Sequence, residues 1–368
     1  MQADHAEDLA SIREQARRLL QDQATSEHLK SLLNEPGSFD QLLWRHAVEQ
    51  GWPSVAIQES AGGLGLGWGG LAVICEELGQ LTGSLPLIAN TLAAHALLQA
   101  GLDEHQEWVG ALASGDAIAT LALADPAESG LSGSSSAQVR NGRLDGEKAL
   151  AAFAAVADIA LVQAGNERGN GLYLVRLDQP GVQRHLAEGF DNSRAAAVLQ
   201  FIQAEAIHLG DTELLHEVGN LAALATAFEQ IGGAQACLDM ACNYARERRA
   251  FGQLIGGFQG IKHKLAEIYC LLEIARGCAS DALDAWEQNL PARQQLTSAA
   301  RIAAIRAYNL AAQENLHVHG GMGMTWEAMP HHFYRRSRSL ALELGSLTYW
   351  RERLLADLGL ESATALAG

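Results

Sequence analysis

Apolar positions recur with a helical period over roughly the first third of the chain, lose it in the middle, and regain it to the end. Leu9, Ile12, Ala16, Leu19 and Leu20 share one face of a helix, with Arg13, Arg17 and Arg18 opposite. Leu42, Leu43, Trp44, Ala47 and Val48 mark another, ended by Gly51-Trp52-Pro53. An amphipathic stretch over 71–79, carrying Glu76-Glu77, and an apolar run over 89–100 follow. Near Asp116 the pattern changes: residues 117–123 form a short apolar run closed by Asp125-Pro126, which suits a buried strand. Further strands are expected at 137–139, 159–164, 171–175 and 197–201, separated by Asn141-Gly142, Asp145-Gly146 and Pro180-Gly181. The alanine-rich stretch 149–157 fits strands poorly, because alanine disfavours them. From Asp211 to Leu358 the helical signature predicts helices at about 212–248, 260–289, 292–318 and 330–358, broken at 252–257 and 320–323. The fold class expected is α+β, mostly α. It comprises an N-terminal helical domain (1–116), a middle β domain (117–210) and a C-terminal four-helix bundle (211–368).

Composition narrows the function. A formal net charge of −17 over 368 residues excludes the basic face of a nucleic-acid binder. No apolar run approaches membrane-spanning length and the N-terminus has no apolar leader core, so the cytoplasm is the expected compartment. The five cysteines form an odd set without C-x-x-C spacing, and they read as buried thiols of a reducing compartment. Gly62-Gly63-Leu64-Gly65 has the spacing of a dinucleotide loop, but no strand precedes it, and a tight turn between helices is expected instead. Ser132 to Ser136 lack a paired histidine and acid for nucleophilic chemistry. His331-His332 and His317-x-His319 lack the acid or further ligands of a metal site.

The densest chemistry lies at the end of the first C-terminal helix. Arg246-Glu247-Arg248-Arg249 runs into Ala250-Phe251-Gly252, then Gly256-Gly257-Phe258-Gln259. Two guanidinium forks followed by glycines suit a planar, doubly charged ligand such as a pyrophosphate. A charged helix end with a glycine stop reads from the same residues.

Three marks together give a resemblance. Arg248-Arg249-Ala250-Phe251-Gly252 with Phe258-Gln259-Gly260-Ile261-Lys262-His263-Lys264-Leu265-Ala266 resembles the Arg-x-x-Phe-Gly … Phe-Gln-x-x-x-His-x-Leu-Ala pattern of the acyl-CoA dehydrogenase family. His319-Gly320-Gly321-Met322-Gly323 is similar to its Gly-Gly-x-Gly loop. The third mark is the domain order, with Gly51-Trp52 and Gly62-Gly63-Leu64-Gly65 in the first domain. The resemblance implies FAD held at a subunit interface. Arg248, Phe251, Gln259 and the backbone of Gly320 and Gly321 would reach a neighbour's cofactor, with His317 where relatives often carry glutamine. It also implies an acyl-CoA substrate and an electron-transfer flavoprotein or equivalent acceptor.

The family's glutamate base is missing. In many members it lies 24 residues after the first glycine of the Gly-Gly-x-Gly loop, which is Leu344 here, beside Glu343 and Gly345. In others it lies 26 residues before the arginine of Arg-x-x-Phe-Gly, which is Ala222 here. The β-domain motifs that hold the flavin ring are depleted too. Ala124-Asp125-Pro126 lacks the hydroxyl of relatives, and Lys148-Ala149-Leu150-Ala151-Ala152 lacks their aromatic and hydroxyl side chains. Asp191-Asn192-Ser193-Arg194 keeps the family's Asp-x-Thr-Arg flavour. The pattern is similar to one subunit of bacterial α2β2 members that oxidise bulky acyl-CoAs, including steroid side-chain CoA thioesters. On that likeness no residue of this chain is catalytic, and a second family chain completes the enzyme. A self-sufficient homo-oligomer using an unconventional base such as Glu343, and a non-enzymatic scaffold, are the alternatives.

Overall fold

The computed structural model describes residues 2–360 apart from 24, 102–104, 127, 129 and 132. The described chain groups into two compact units. The first takes residues up to Ile74, Ser84–Ala223 and Glu343–Gly345; the second takes Cys75–Gly83, Leu224–Leu342 and the chain from Ser346. Ser129 and Ser132 of the serine-rich stretch, and residues beyond 360 in the expected last domain, lie outside the described residues.

Six helices open the chain: α1 (Gln2–Gln23), α2 (Ser26–Leu33), α3 (Gln41–Glu49), α4 (Gly67–Gln80), α5 (Leu87–Ala100) and α6 (Gln106–Ala113). Asp40 caps α3 by accepting the Leu43 N–H at 2.9 Å, and its other oxygen meets His28 Nε2 at 2.7 Å. The glycine-rich loop is the tight turn expected. Gly62 and Gly65 have φ of +83° and +68°, and a Cβ on Gly63 would lie 2.1 Å from the Ile57 carbonyl oxygen. Asn90 of α5 donates to the Ala117 carbonyl at 2.8 Å and accepts the Ala119 N–H at 2.8 Å, fixing where the sheet begins.

The sheet has eight strands: β1 (Ala119–Ala122), β2 (Gln138–Arg140), β3 (Arg143–Ala151), β4 (Ile159–Asn166), β5 (Gly169–Arg176), β6 (Val182–Leu186), β7 (Ala197–Glu205) and β8 (Ile207–Asp211). Their order is β6-β7-β3-β2-β4-β5-β8, with β1 parallel to β4. Three strands differ from expectation. β3 runs through Asp145-Gly146, expected as a turn and instead an irregularity within the strand, with Gly146 at φ +137°. The strand ends at Ala151, which packs on the sheet core with Leu144, Leu199 and Phe201, and the following alanines form a turn. The edge strands β6 and β8 are short and partly exposed, so no long apolar run announces them.

The C-terminal part contains α7 (Thr212–Glu247), a two-stranded hairpin β9 (Arg249–Ala250) and β10 (Gln253–Leu254), α8 (Gln259–Glu287), α9 (Arg293–His319), α10 (Pro330–Leu340) and α11 (Leu347–Asp357). The expected fourth helix is therefore two helices. They part where Leu344 and Gly345 take φ of +58° and +121°, and Ser346 Oγ caps α11 by accepting the Tyr349 N–H at 3.2 Å. Within the second unit α4 and α7 cross at glycines. A Cβ on Gly79 would lie 2.0 Å from the Glu229 carbonyl oxygen, and one on Gly232 would lie 1.9 Å from that of Glu76. Buried Arg336 satisfies the end of α4, donating to the Gly83 and Thr82 carbonyls at 2.8 and 3.1 Å while pairing with Glu229 at 2.9 Å. The thiols meet the expectation of burial only in part, Cys242 and Cys278 being half-buried. Cys75 and Cys237 are buried, but Cys270 is exposed on the outward side of α8, because helical spacing rather than residue type sets the face.

Candidate functional site

The Arg248 segment is not a plain helix end. After α7 the chain makes a two-residue hairpin in which Ala250 pairs with Gln253 and Arg249 with Leu254. The Arg248 carbonyl accepts the Ile255 N–H at 2.8 Å, so the base of the hairpin is closed and Arg248 leaves it exposed. Both turn residues are left-handed, Phe251 at φ +51° and Gly252 at φ +81°, the signature of a type I′ turn. For an aromatic residue this conformation costs about 1–2 kcal/mol. Phe251 is also 97% exposed, its ring meeting Phe258 edge-on at 6.2 Å between centroids. Exposed and strained, Phe251 gains from this chain only its edge contact with Phe258. Gln259 opens α8 and is exposed, and no side chain caps that helix N-terminus. Arg248, Phe251 and Gln259 thus lie on one short, solvent-facing structure.

The glycine loop adjoins this structure through side-chain stacking. His319, the last residue of α9, stacks on Tyr244 of α7 at 4.2 Å, and its Nδ1 donates to the Asn315 carbonyl at 2.8 Å. Gly320 then takes φ +60°, ψ −143°, a conformation confined to glycine. The loop's glycines divide by purpose. A Cβ on Gly323 would lie 2.9 Å from His319 Cβ, so Gly323 is required by packing. A Cβ on Gly320 or Gly321 would meet nothing within 4 Å, so the space before them is open to a ligand's approach. His317 is largely exposed, with Nδ1 3.2 Å from Glu314 Oε2, and Lys264 of α8 ion-pairs with that same oxygen. Sequence reasoning singled out His317 but missed the Glu314–Lys264 pair behind it. Its signal was the helical spacing of Glu314 and His317.

The sheet side, within the first unit, is arranged in the opposite way. Lys148 is fully buried and its ammonium lies 2.5 Å from Asp125 Oδ1, 2.9 Å from the Gln163 carbonyl and 3.3 Å from Ser135 Oγ. Asp125 also accepts the Ser136 N–H at 2.6 Å and the Ser135 hydroxyl at 3.1 Å. Burial alone would raise the Asp125 carboxyl, but Lys148, the Ser136 N–H and Ser135 outweigh it and hold it below its ordinary value. Burial pushes the Lys148 ammonium below its ordinary value despite Asp125. The two depleted motifs bond to each other: the Ala149 N–H donates to the Ala124 carbonyl at 2.9 Å. Thr120 Oγ1 is turned to the Ala152 carbonyl at 2.7 Å. Every polar side chain of these motifs is thus engaged internally.

The base positions are equally inert. Ala222 is fully buried in α7. Leu344 keeps the left-handed turn but offers no proton acceptor. Glu343 is held at 2.8 Å by Arg194, whose side chain is 7% exposed and lies over the Phe153 ring at 5.4 Å. Among the described residues no group of three or more His, Cys, Asp or Glu could hold a metal ion, and no helix is long and apolar enough to cross a membrane.

The chain has known relatives. The descriptions "Acyl-CoA dehydrogenase, N-terminal domain" and "Acyl-CoA dehydrogenase, C-terminal domain" match residues 6–116 and 212–358. The chain belongs to the acyl-CoA dehydrogenase family, FAD-dependent enzymes acting on CH–CH bonds. It is 30% identical to the acyl-CoA dehydrogenase IpdE2 of Mycobacterium tuberculosis, over 92% of this chain and 94% of that protein. It is likewise 30% identical to the acyl-CoA dehydrogenase FadE27 of the same organism, over 91% and 92%. Among solved structures, a variant of the steroid ACAD Tcur3481-Tcur3483 aligns with a TM-score of 0.90 at 28% identity, covering 99% of this chain and 100% of that one. The ChsE4-ChsE5 complex from Mycobacterium tuberculosis aligns with a TM-score of 0.89 at 27% identity, covering 96% and 98%.

Measured against the family's cofactor, the residues present fit one part and not the other. Exposed Arg248, the uncapped start of α8 and the open Gly320-Gly321 backbone suit a pyrophosphate and its nucleotide. Positions 124 and 149–152 carry no side chain that could hydrogen-bond or stack against a flavin ring.

Proposed function

We propose that this chain is the non-catalytic subunit of a heteromeric, FAD-dependent acyl-CoA dehydrogenase, assembled as α2β2 with a second chain of the same family. Arg248, Phe251, Gln259, His317 and the backbone of Gly320 and Gly321 cap the nucleotide half of the partner's FAD. The flavin ring and the glutamate base belong to the partner. Phe251 carries this reading: a phenylalanine at φ +51° and 97% exposed suits a surface outside this chain that receives its ring. Bound FAD supplies the hydride acceptor for α,β-dehydrogenation. This chain's residues hold the nucleotide and keep water from it, and none of them moves a proton.

The substrate is a bulky acyl-CoA, and steroid side-chain thioesters are favoured because the similar solved structures include a steroid ACAD. An electron-transfer flavoprotein or equivalent acceptor, and a cytoplasmic site of action, complete the proposal. The reading that Glu343 is an unconventional base loses support from its ion pair with Arg194. Co-expression with a second family chain from the same operon, followed by flavin quantification, tests the proposal. The complex should carry one FAD per heterodimer, while this chain alone should be colourless and inactive. A yellow, active homo-oligomer would refute it.

A further inference from the structure

His317 sits three residues after Glu314 on α9, so the two side chains share a face. Its Nδ1 is 3.2 Å from Glu314 Oε2, and Lys264 reaches the same oxygen from α8. The Glu314 side chain is 10% exposed and that of His317 is 56% exposed, so the pairing is sheltered and the far edge of the imidazole is not. A carboxylate paired with an ammonium only accepts hydrogen bonds. Nδ1 must therefore carry the ring proton of the neutral imidazole, leaving Nε2 without one. A glutamine in this place would present both a donor and an acceptor; a histidine held in this way presents an acceptor alone.

Building on the nucleotide-capping role proposed above, we infer that Glu314 and Lys264 are positioning residues that lock His317 in its Nδ1–H tautomer. Nε2 then recognises a hydrogen-bond donor of the nucleotide, an amino or hydroxyl group, and not a phosphate oxygen. Phosphate recognition falls to Arg248, which has only donors to offer. The two residues divide the ligand by hydrogen-bond polarity.

The full chain with nitrogen-15 in its histidines tests the tautomer directly. At pH 8 the His317 spectrum should show a protonated Nδ1 and a bare Nε2; a proton on Nε2 overturns the inference. FAD release from the co-expressed complex, followed by flavin fluorescence, tests the recognition. His317→Gln, which keeps an acceptor, should release FAD within about twofold of the parent, and His317→Lys, which has donors only, about fivefold faster. FAD carrying hypoxanthine in place of adenine lacks the amino group, and a 2′-deoxyribose analogue lacks a hydroxyl. The analogue released about fivefold faster from the parent, but no faster than FAD from the His317→Lys complex, identifies the donor. Equal retention by the parent and His317→Lys, or equal release of FAD and both analogues from the parent, overturns the inference. Arg248→Ala separates the two levels. If it speeds FAD release while His317→Lys does not, only this inference fails; if neither does, the capping role fails with it.

Discussion

Two hairpins in this chain share a backbone and differ in what sits on it. Asn141-Gly142 joins β2 to β3 with φ of +51° and +72°, and Phe251-Gly252 joins β9 to β10 with +51° and +81°. Asparagine tolerates the left-handed region because its short polar side chain bonds locally, and Asn-Gly is the usual occupant of such a turn. Phenylalanine has neither advantage, and at 97% exposure it also forgoes the roughly 2–3 kcal/mol that burying its ring would contribute. The first turn is chosen by folding. The second is tolerated by folding, and so reports on something else. The same division separates the sheet-side polar groups, which bond inward around Lys148, from Arg248 and Gln259, which face solvent.

The largest effect that could break this comparison concerns Asp125. If the sheet-side network is purely structural, Asp125→Ala should cost about 3–5 kcal/mol, because it leaves a buried lysine unpaired. Chemical denaturation would measure this, and a loss under 1 kcal/mol would show that the network serves another purpose. Arg248→Ala should do the reverse. The melting temperature of the isolated chain should not move, while the co-expressed complex loses about 1.5–3 kcal/mol of flavin affinity, read by fluorescence on dilution. Exchanging the turn residues sharpens the comparison further. Asn141→Phe should destabilise the chain by about 1–2 kcal/mol and Phe251→Asn should stabilise it by about as much, with flavin retention falling only in the second. The smallest effect is on the acid limb. The Asp125 carboxyl is held below 3.8 in the folded chain, so its contribution is complete above that value and is lost as pH falls through the lower, folded one. In Asp125→Asn the unfolding profile should be flatter in that acid range.

The helical regions were legible because amphipathic periodicity survives wherever one helix face is buried. The sheet was legible in β1, β2, β4, β5 and β7, and not in β3 or the edge strands β6 and β8. β3 was hidden by Asp145-Gly146, which reads as a turn but lies within the strand, and by a lysine whose burial depends on Asp125, 23 positions away in sequence, a partnership no local window contains. The last helix was overextended because Leu344 looks like any helical leucine, and only its left-handed φ shows the break. The candidate site residues were singled out from spacing and resemblance. What spacing could not supply was the hairpin that lifts Phe251 into solvent, nor the Lys264 ammonium that meets Glu314 from another helix.

The glycine crossing of α4 and α7 bears on how this chain can drift over generations. Each glycine rests against the opposite helix's backbone, Gly79 against Glu229 and Gly232 against Glu76, so neither can accept a methyl group by a side-chain adjustment nearby. A second substitution across the contact cannot restore the space either, since the opposing atoms are backbone carbonyls, which no change of side chain removes. Variation should therefore accumulate at exposed positions such as Leu150 while both glycines stay fixed, and a survey of variants of this chain would find the crossing unchanged.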